Sequence, residues 1–203
     1  MSKDHQLEWT DPKIEKEILD RQRRGLWSTD QIQSLARRFR LQPGMKLLDA
    51  GCGYGYSLRN FGPFCMPGGD LVGVDLEETL LRTARRLTRK EGLGEAARFE
   101  VGDIYDLGFE DDTFDVAMVQ VVLCHLSEPE KALDEIIRVT KRGGCVAIFD
   151  NATWGGREIY FDPNHEPKLE QQLFVLEMAF RRVMGRKKLG QGDFTVGCRV
   201  LWR

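Results

Sequence analysis

The sequence predicts an α/β protein built on a doubly wound, mainly parallel sheet, and three observations carry that prediction. Strand-like and helix-like segments alternate from residue 44 to about residue 150. The fourth strand candidate, Phe114 to Leu123, is almost continuously apolar, which suits a strand covered on both faces. Four of the five strand candidates carry an aspartate at or just beyond their ends: Asp49, Asp75, Asp103 and Asp150. In open α/β sheets ligands sit outside the carboxyl ends of the strands, so these carboxylates share one rim.

The elements follow in order. Asp11-Pro12 offers a cap and a proline in the first helical position, leading into Ile14, Ile18 and Leu19. Ser28 with Gln31 reads as a capping box before Ile32, Leu35, Ala36 and Phe39 at helical spacing, and Pro43-Gly44 breaks the pattern. Met45 to Ala50 is the first strand, and residues 55 to 63 form a short helix ended by Gly62-Pro63. Asp70 to Asp75 is the second strand, followed by a helix over 77–91 with Leu80, Leu81, Ala84 and Leu87 on one face. Ala97 to Val101 is the third strand and Phe114 to Leu123 the fourth, with Gln120 late in it. Ser127 and Glu130 resemble a second capping box, Gly143-Gly144 stop that helix, and Cys145 to Asp150 is the fifth strand. A long helix from about Pro167 to Met184 comes next, and a loop leads to a helix starting at Val196. Three regions result: a helical cap over 1–43, a ligand-binding α/β core over 44–151, and a variable loop and helix over 152–203 on the acceptor side.

Bulk properties narrow the function. A chain of 203 residues with 41% hydrophobic and 31% charged residues fits an ordinary globular domain. A net charge of −2 gives no general electrostatic grip on nucleic acid. The five cysteines at 52, 65, 124, 145 and 198 show neither metal-ligand spacing nor a disulfide framework, so no metal site is expected and reduced thiols in the cytoplasm are. The polar N-terminus lacks a signal-peptide stretch, and the longest apolar run is too short to span a bilayer, so no membrane is expected.

LLDAGCGYGYS, residues 47 to 57, holds the chemical signal. Glycine packs nothing and costs conformational entropy, so three at alternate positions imply a ligand lying close to the main chain. A phosphate-cradling P-loop needs Lys and Ser/Thr after its last glycine, where this turn has Tyr56-Ser57. The dinucleotide fingerprint needs a third glycine one residue later than Gly55. Asp49 would repel a pyrophosphate but attract an ammonium or sulfonium. The pattern therefore asks for a cationic, phosphate-free nucleoside.

DAGCGYG resembles the glycine motif of class I S-adenosylmethionine-dependent methyltransferases of the small-molecule type 11-like group. LVGVDLEETLL, FEVGDIYDLGFEDDTFDVAMV and QVVLCHLSEPEKALDEIIRVTKRGG resemble, in order, the family's ribose-binding strand end, adenine-contacting segment, and fourth-strand exit with its Arg-Val-x-Lys-x-Gly-Gly turn. The resemblance covers roughly residues 45–150 and implies a Rossmann-like sheet in strand order 3-2-1-4-5 with S-adenosyl-L-methionine as co-substrate. It also implies roles. Asp49 meets the methionine ammonium, directly or through water, and Gly51, Cys52, Gly53 and Gly55 form the turn beside the methionyl and ribose portions. Asp75 holds the ribose hydroxyls, and Leu76 packs on an adenine face. Asp103 accepts from the adenine amino group, the Ile104 N–H donates to a ring nitrogen, and the Gln120 carbonyl faces the ammonium. Cys52 has no basic neighbour to activate it and fills space.

Transfer of a methyl group from a sulfonium is an in-line displacement from an excellent leaving group, so positioning in a dry pocket is the main requirement. His125 is the candidate general base, with capping or packing as its other reading, because Cys124 stands where the family often has a second histidine. Tyr54 and Tyr56 either wall the cofactor or pack; Trp154, Tyr160 and Phe161 either line an acceptor pocket or cover the core, and His165 lies in the variable loop. QVVL stands at the fourth-strand exit, where enzymes acting on nucleobase amino groups carry Asn/Asp-Pro-Pro-Tyr, so a small-molecule acceptor is expected. Two other readings stay open: a non-catalytic S-adenosylmethionine-binding or scaffold protein, and a nicotinamide-dependent oxidoreductase. The usual C-terminal strand hairpin is expected to be missing, as in a shortened or fragmentary chain. That would expose the edge of the fifth strand, which a partner subunit in a homodimer would cover.

Overall fold

The computed structural model describes residues 27–149, together with the backbone of 190–191 and 199–202. The helix expected after Asp11-Pro12, the strand end at Asp150, the long helix from Pro167, and Trp154, Tyr160, Phe161 and His165 lie outside the described residues.

Helix α1 (Thr29–Arg38) opens on the expected capping box: the Gln31 N–H donates to Ser28 Oγ, and the Ser28 N–H donates to Gln31 Oε1. Strand β1 (Lys46–Ala50) leads through the glycine turn into α2 (Tyr56–Phe61). Gly62-Pro63 ends only the α-helical form, because a 3-10 turn continues over Gly62–Cys65 with proline at its start, where no N–H is required. Strand β2 (Asp70–Asp75), α3 (Glu78–Lys90) and β3 (Ala97–Val101) follow as the sequence predicts.

Strand β4 (Phe114–Gln120) stops three residues earlier than expected, because Val121 takes a left-handed backbone with φ of 52°. Helix α4 (Pro129–Val139) starts without the expected Ser127–Glu130 box: Glu128 is the N-cap, with no side-chain cap, and Pro129 supplies the preset first turn. Strand β5 (Thr140–Phe149) begins directly at the helix end, five residues before the expected Cys145. Thr140 makes the change, with its hydroxyl donating to the Ile136 carbonyl and its backbone already extended. Gly143-Gly144 therefore lie within an irregular part of the strand, where the register with β4 jumps from Phe114↔Thr140 to Val116↔Cys145.

Five strands run parallel in the order 3-2-1-4-5, and two short strands extend the sheet beyond β5. Strand β7 (Arg199–Trp202) pairs antiparallel with β5 and with β6 (Gly190–Gln191), so the hairpin expected to be missing is present. Strand also replaces the helix expected from Val196. Four residues are too few to show a period of two, whereas the N–H and C=O groups along the β5 edge need partners. With β7 in place, the edge that was to seat a partner subunit is occupied within the chain.

Strand alternation sorts the core. Leu47, Leu71, Phe99, Val116, Met118 and Cys145 face one side, packed with Ala36 and Phe39 of α1, Leu58 and Phe61 of α2, and Leu81 and Ala84 of α3. The other side carries Leu48, Val72, Ala117, Val119 and Val146 against Leu133, Ile136 and Ile137 of α4. Ile104 and Leu107, from the segment joining β3 to β4, complete this second layer.

Candidate active site

Register places the predicted site residues together. Asp49 pairs with Gly73 on β2 and with Met118 on β4, so Asp75 and Gln120 lie two residues further along their strands on the same face as Asp49. Asp75 pairs with Val101 on β3, and Asp103 follows two residues beyond. The carboxyl rim thus gathers Asp49, Asp75, Asp103 and Gln120 beside the glycine turn.

The turn is shaped by what it must clear. Gly51 has φ of 74°, and a Cβ there would lie 2.4 Å from the Val122 side chain. Gly53 has φ of 49° and faces open space, with nothing within 4 Å of a Cβ built on it. One glycine lets the turn pass Val122, just beyond β4; the other leaves open space against the backbone. Gly55 ends the turn as the left-handed N-cap of α2.

Asp75 is oriented by backbone donors: the Gly53 N–H reaches one oxygen at 2.8 Å and the Glu77 N–H reaches the other at 3.0 Å. Each oxygen keeps a lone pair for a further donor. Burial raises the Asp75 pKa, and the N–H groups of Glu77, Gly53 and Leu76 oppose that rise. Asp49 is more extreme. Only 1% of it is exposed, and neither oxygen has a hydrogen-bond partner among the described residues. Burial, reinforced by the Asp75 charge, pushes its pKa up to about 7, and the nearby Leu58 amide eases this only in part. Among the described residues no lysine, arginine or histidine pairs with either carboxylate. A buried carboxylate without a donor is costly, and a ligand cation or donor is what would relieve it.

The part of the rim at the ends of β2 and β3 carries exposed apolar side chains. Leu76, the residue after Asp75, is 45% exposed, and Val101, the register partner of Asp75 on β3, is 57% exposed. Asp103 is exposed, with one oxygen accepting from the Tyr105 N–H at 2.9 Å. The Ile104 side chain is buried in the core, so its main chain is what it can offer a ligand. The segment carrying both is tied to α4: Glu135 accepts from the Leu107 N–H, and Arg138 donates to the Phe109 carbonyl, Asp111 and Glu135.

Several candidates resolve differently. Tyr54 and Tyr56 are buried, and the Tyr56 ring lies at a tilt 5.5 Å from Trp27. Cys52 is buried, and its thiol pKa is raised by burial and by the Asp49 and Asp75 charges, so it stays protonated. His125 ends a 3-10 turn over Leu123–His125 just beyond β4, with its side chain exposed.

Sequence reasoning missed Ser57, Gly73 and the Val121-Val122 corner. Ser57 is buried and donates to Gln120 Oε1 at 2.8 Å. A Cβ on Gly73 would come within 2.6 Å of Phe99 and 2.8 Å of Cys52 Sγ, so a residue that reads as ordinary strand makes room beneath the turn. The serine after the last glycine was a local clue to the first of these. Nothing local marks the other two.

Residues 48–148 match the family described as a methyltransferase domain. The chain is 33% identical over 168 residues to cycloartenol-C-24-methyltransferase 1 of Oryza sativa subsp. japonica, covering 83% of this chain and 47% of that protein. A crystal structure titled as an S-adenosylmethionine (SAM)-dependent methyltransferase from Aquifex aeolicus shares the fold, with a TM-score of 0.62 and 21% identity over 86% of this chain and 97% of that one. The crystal structure titled as the [4+2]-cyclase SpnF is 28% identical, with a TM-score of 0.56, over 74% of this chain and 57% of that one. The chain spans between a third and a half of the length of the curated relatives it matches.

Proposed function

The chain belongs, through residues 48–148, to the class I S-adenosylmethionine-dependent methyltransferases, and from that premise we propose that it transfers a methyl group from S-adenosyl-L-methionine to a small-molecule acceptor. The observation that carries this reading is Asp49: a buried, unpartnered carboxylate on the same face as Asp75, beside a turn with open space at Gly53. An ammonium relieves Asp49 where a phosphate would repel it. Because Asp49 lies behind the turn, a bridging water is the natural route to that ammonium.

When bound, the co-substrate supplies a methyl group already activated on a sulfonium. The chain's own task is to hold and orient. Asp75, fixed by two backbone donors, accepts from the paired ribose hydroxyls. Leu76 and Val101 offer apolar surface to the base, and Asp103 with the Ile104 N–H reads its polar edge. The Gln120 main-chain carbonyl faces the ammonium, since its side-chain oxygen accepts from Ser57. His125, just past β4, removes a proton from an acceptor that must lose one. Sterol and squalene methyltransferases among the relatives favour an apolar acceptor.

Similarity to a structure titled as a cyclase favours one second reading, cofactor binding without methyl transfer. Calorimetry with S-adenosylmethionine and S-adenosylhomocysteine, followed by turnover against a metabolite panel that includes sterols, separates the two. Binding with transfer to an acceptor supports the first reading, and binding without transfer to any acceptor supports the second. Failure to bind either nucleoside rejects both, and a fluorescence change with a nicotinamide cofactor would point to the oxidoreductase instead.

A further inference from the structure

An amino-acid head group is zwitterionic, and Asp49 answers only its positive half. The rim side chains nearest Asp49 by register are Asp75, another carboxylate, and Gln120, the one neutral side-chain amide among them. Gln120 is held from α2: Ser57, itself buried, donates its hydroxyl to Gln120 Oε1 at 2.8 Å. The next residue of that helix, Leu58, has its amide near Asp49 without a hydrogen bond to it, and opposes the rise of that carboxyl's pKa in part. Successive residues of α2 therefore lie beside both rim groups, with the hydrogen bond made at Gln120 alone. The backbone beneath Gln120 is fixed as well, because the Val121 N–H donates to the Phe149 carbonyl at 2.7 Å. With Oε1 committed to Ser57, the amide presents its Nε2 donors, which no described residue accepts from.

We infer that Ser57 is a positioning residue, which locks the Gln120 amide so that its NH2 donates to the carboxylate of the methionyl group, while Asp49 answers the ammonium. The assignment rests on the proposed co-substrate and goes beyond it by naming what recognises its acidic end. Without the hydroxyl, the amide can rotate and turn its oxygen toward a carboxylate, where it repels.

Calorimetry of the full chain with two probes tests this. S-adenosylhomocysteine carries the amino-acid head group, and 5′-methylthioadenosine lacks it. Ser57→Ala keeps the size and helix preference of the site, and thermal melting checks that it folds. It should weaken S-adenosylhomocysteine about three- to tenfold, the range for one lost hydrogen bond, while 5′-methylthioadenosine stays within about twofold. Gln120→Glu keeps an acceptor for Ser57 but removes the donors and adds charge, so it should weaken S-adenosylhomocysteine further and again spare 5′-methylthioadenosine. Equal losses for both probes, or no loss for either, overturn the assignment and leave the co-substrate reading standing. A wild-type chain that binds neither probe overturns both together.

Discussion

The two ends of the same strands treat the same side chain in opposite ways. At the amino ends, carboxylates are partnered: Asp115 accepts from the Lys46 N–H at 2.8 Å and from Lys141 Nζ at 2.7 Å, and Asp70 pairs with Arg98. Asp115, the second residue of β4, so ties its own strand to both neighbours, β1 and β5. At the carboxyl ends, among the described residues, Asp75 accepts only from backbone N–H groups and Asp49 accepts no hydrogen bond. Both have pKa values raised by burial. The lower carboxylates serve the fold, whereas the upper pair costs the empty protein stability that a cationic ligand returns.

The largest effect expected from breaking this contrast is at Asp75. Asp75→Ala should weaken S-adenosylhomocysteine by about 1–3 kcal/mol, the scale of hydrogen bonds to a charged group. An unchanged dissociation constant by calorimetry would remove the ribose assignment.

Asp49 comes next, and its prediction has two signs. The folded pKa of about 7 lies above the ordinary 3.8, so the folded protein holds this proton more tightly than the unfolded chain. The empty protein should therefore lose stability as pH rises from about 4 through about 7. Asp49→Asn removes that titration, so the stability of the variant relative to wild type should increase with pH across the same window, read by urea denaturation. Its affinity for S-adenosylhomocysteine should fall about tenfold at pH 7.5, the scale of one charge-assisted contact. The wild-type affinity should itself decline below about pH 7 as Asp49 takes up its proton. A flat affinity profile would mean that Asp49 does not sense the ligand.

Asp115→Ala supplies the reverse case from the other rim. Loss of the acceptor for the Lys46 N–H and of a half-exposed ion pair should cost about 1 kcal/mol of stability and leave nucleoside affinity unchanged. Weakened binding would mean that the two ends are coupled through the strands.

What the sequence shows of this contrast depends on how local the cause is. Strands β2 and β3 are legible to the residue, because alternation and flanking turns are written in consecutive side chains. The rim carboxylates are legible too, since a strand end and a glycine turn are both local patterns. The Ser28–Gln31 cap closes within one turn and is read correctly, whereas Ser127–Glu130 has the same spelling but gives way to Pro129. Causes that come from elsewhere in the chain are not legible. Thr140 enters the ladder because β4 lies beside it, and β7 forms because β5 has an open edge. Ser57 finds Gln120 across 63 residues, and Gly73 is small because Phe99 and Cys52 need its space.

The smallest predicted effect tests whether the carboxyl rim also stores strain in its backbone. Val121 is β-branched, yet it sits at φ of 52°, held by the Phe149 carbonyl on one side and by the packing of Val122 over Gly51 on the other. A left-handed backbone costs such a residue about 1–2 kcal/mol, and glycine forfeits about 0.5–1 kcal/mol of that gain through its freer unfolded chain. Because Val121 is 39% exposed, its side chain contributes little burial to lose. Val121→Gly should therefore raise stability by up to about 1 kcal/mol, with 5′-methylthioadenosine affinity unchanged. A fall in stability would show that the valine side chain is a support for the corner, and the contrast between the two strand ends would then rest on charge alone.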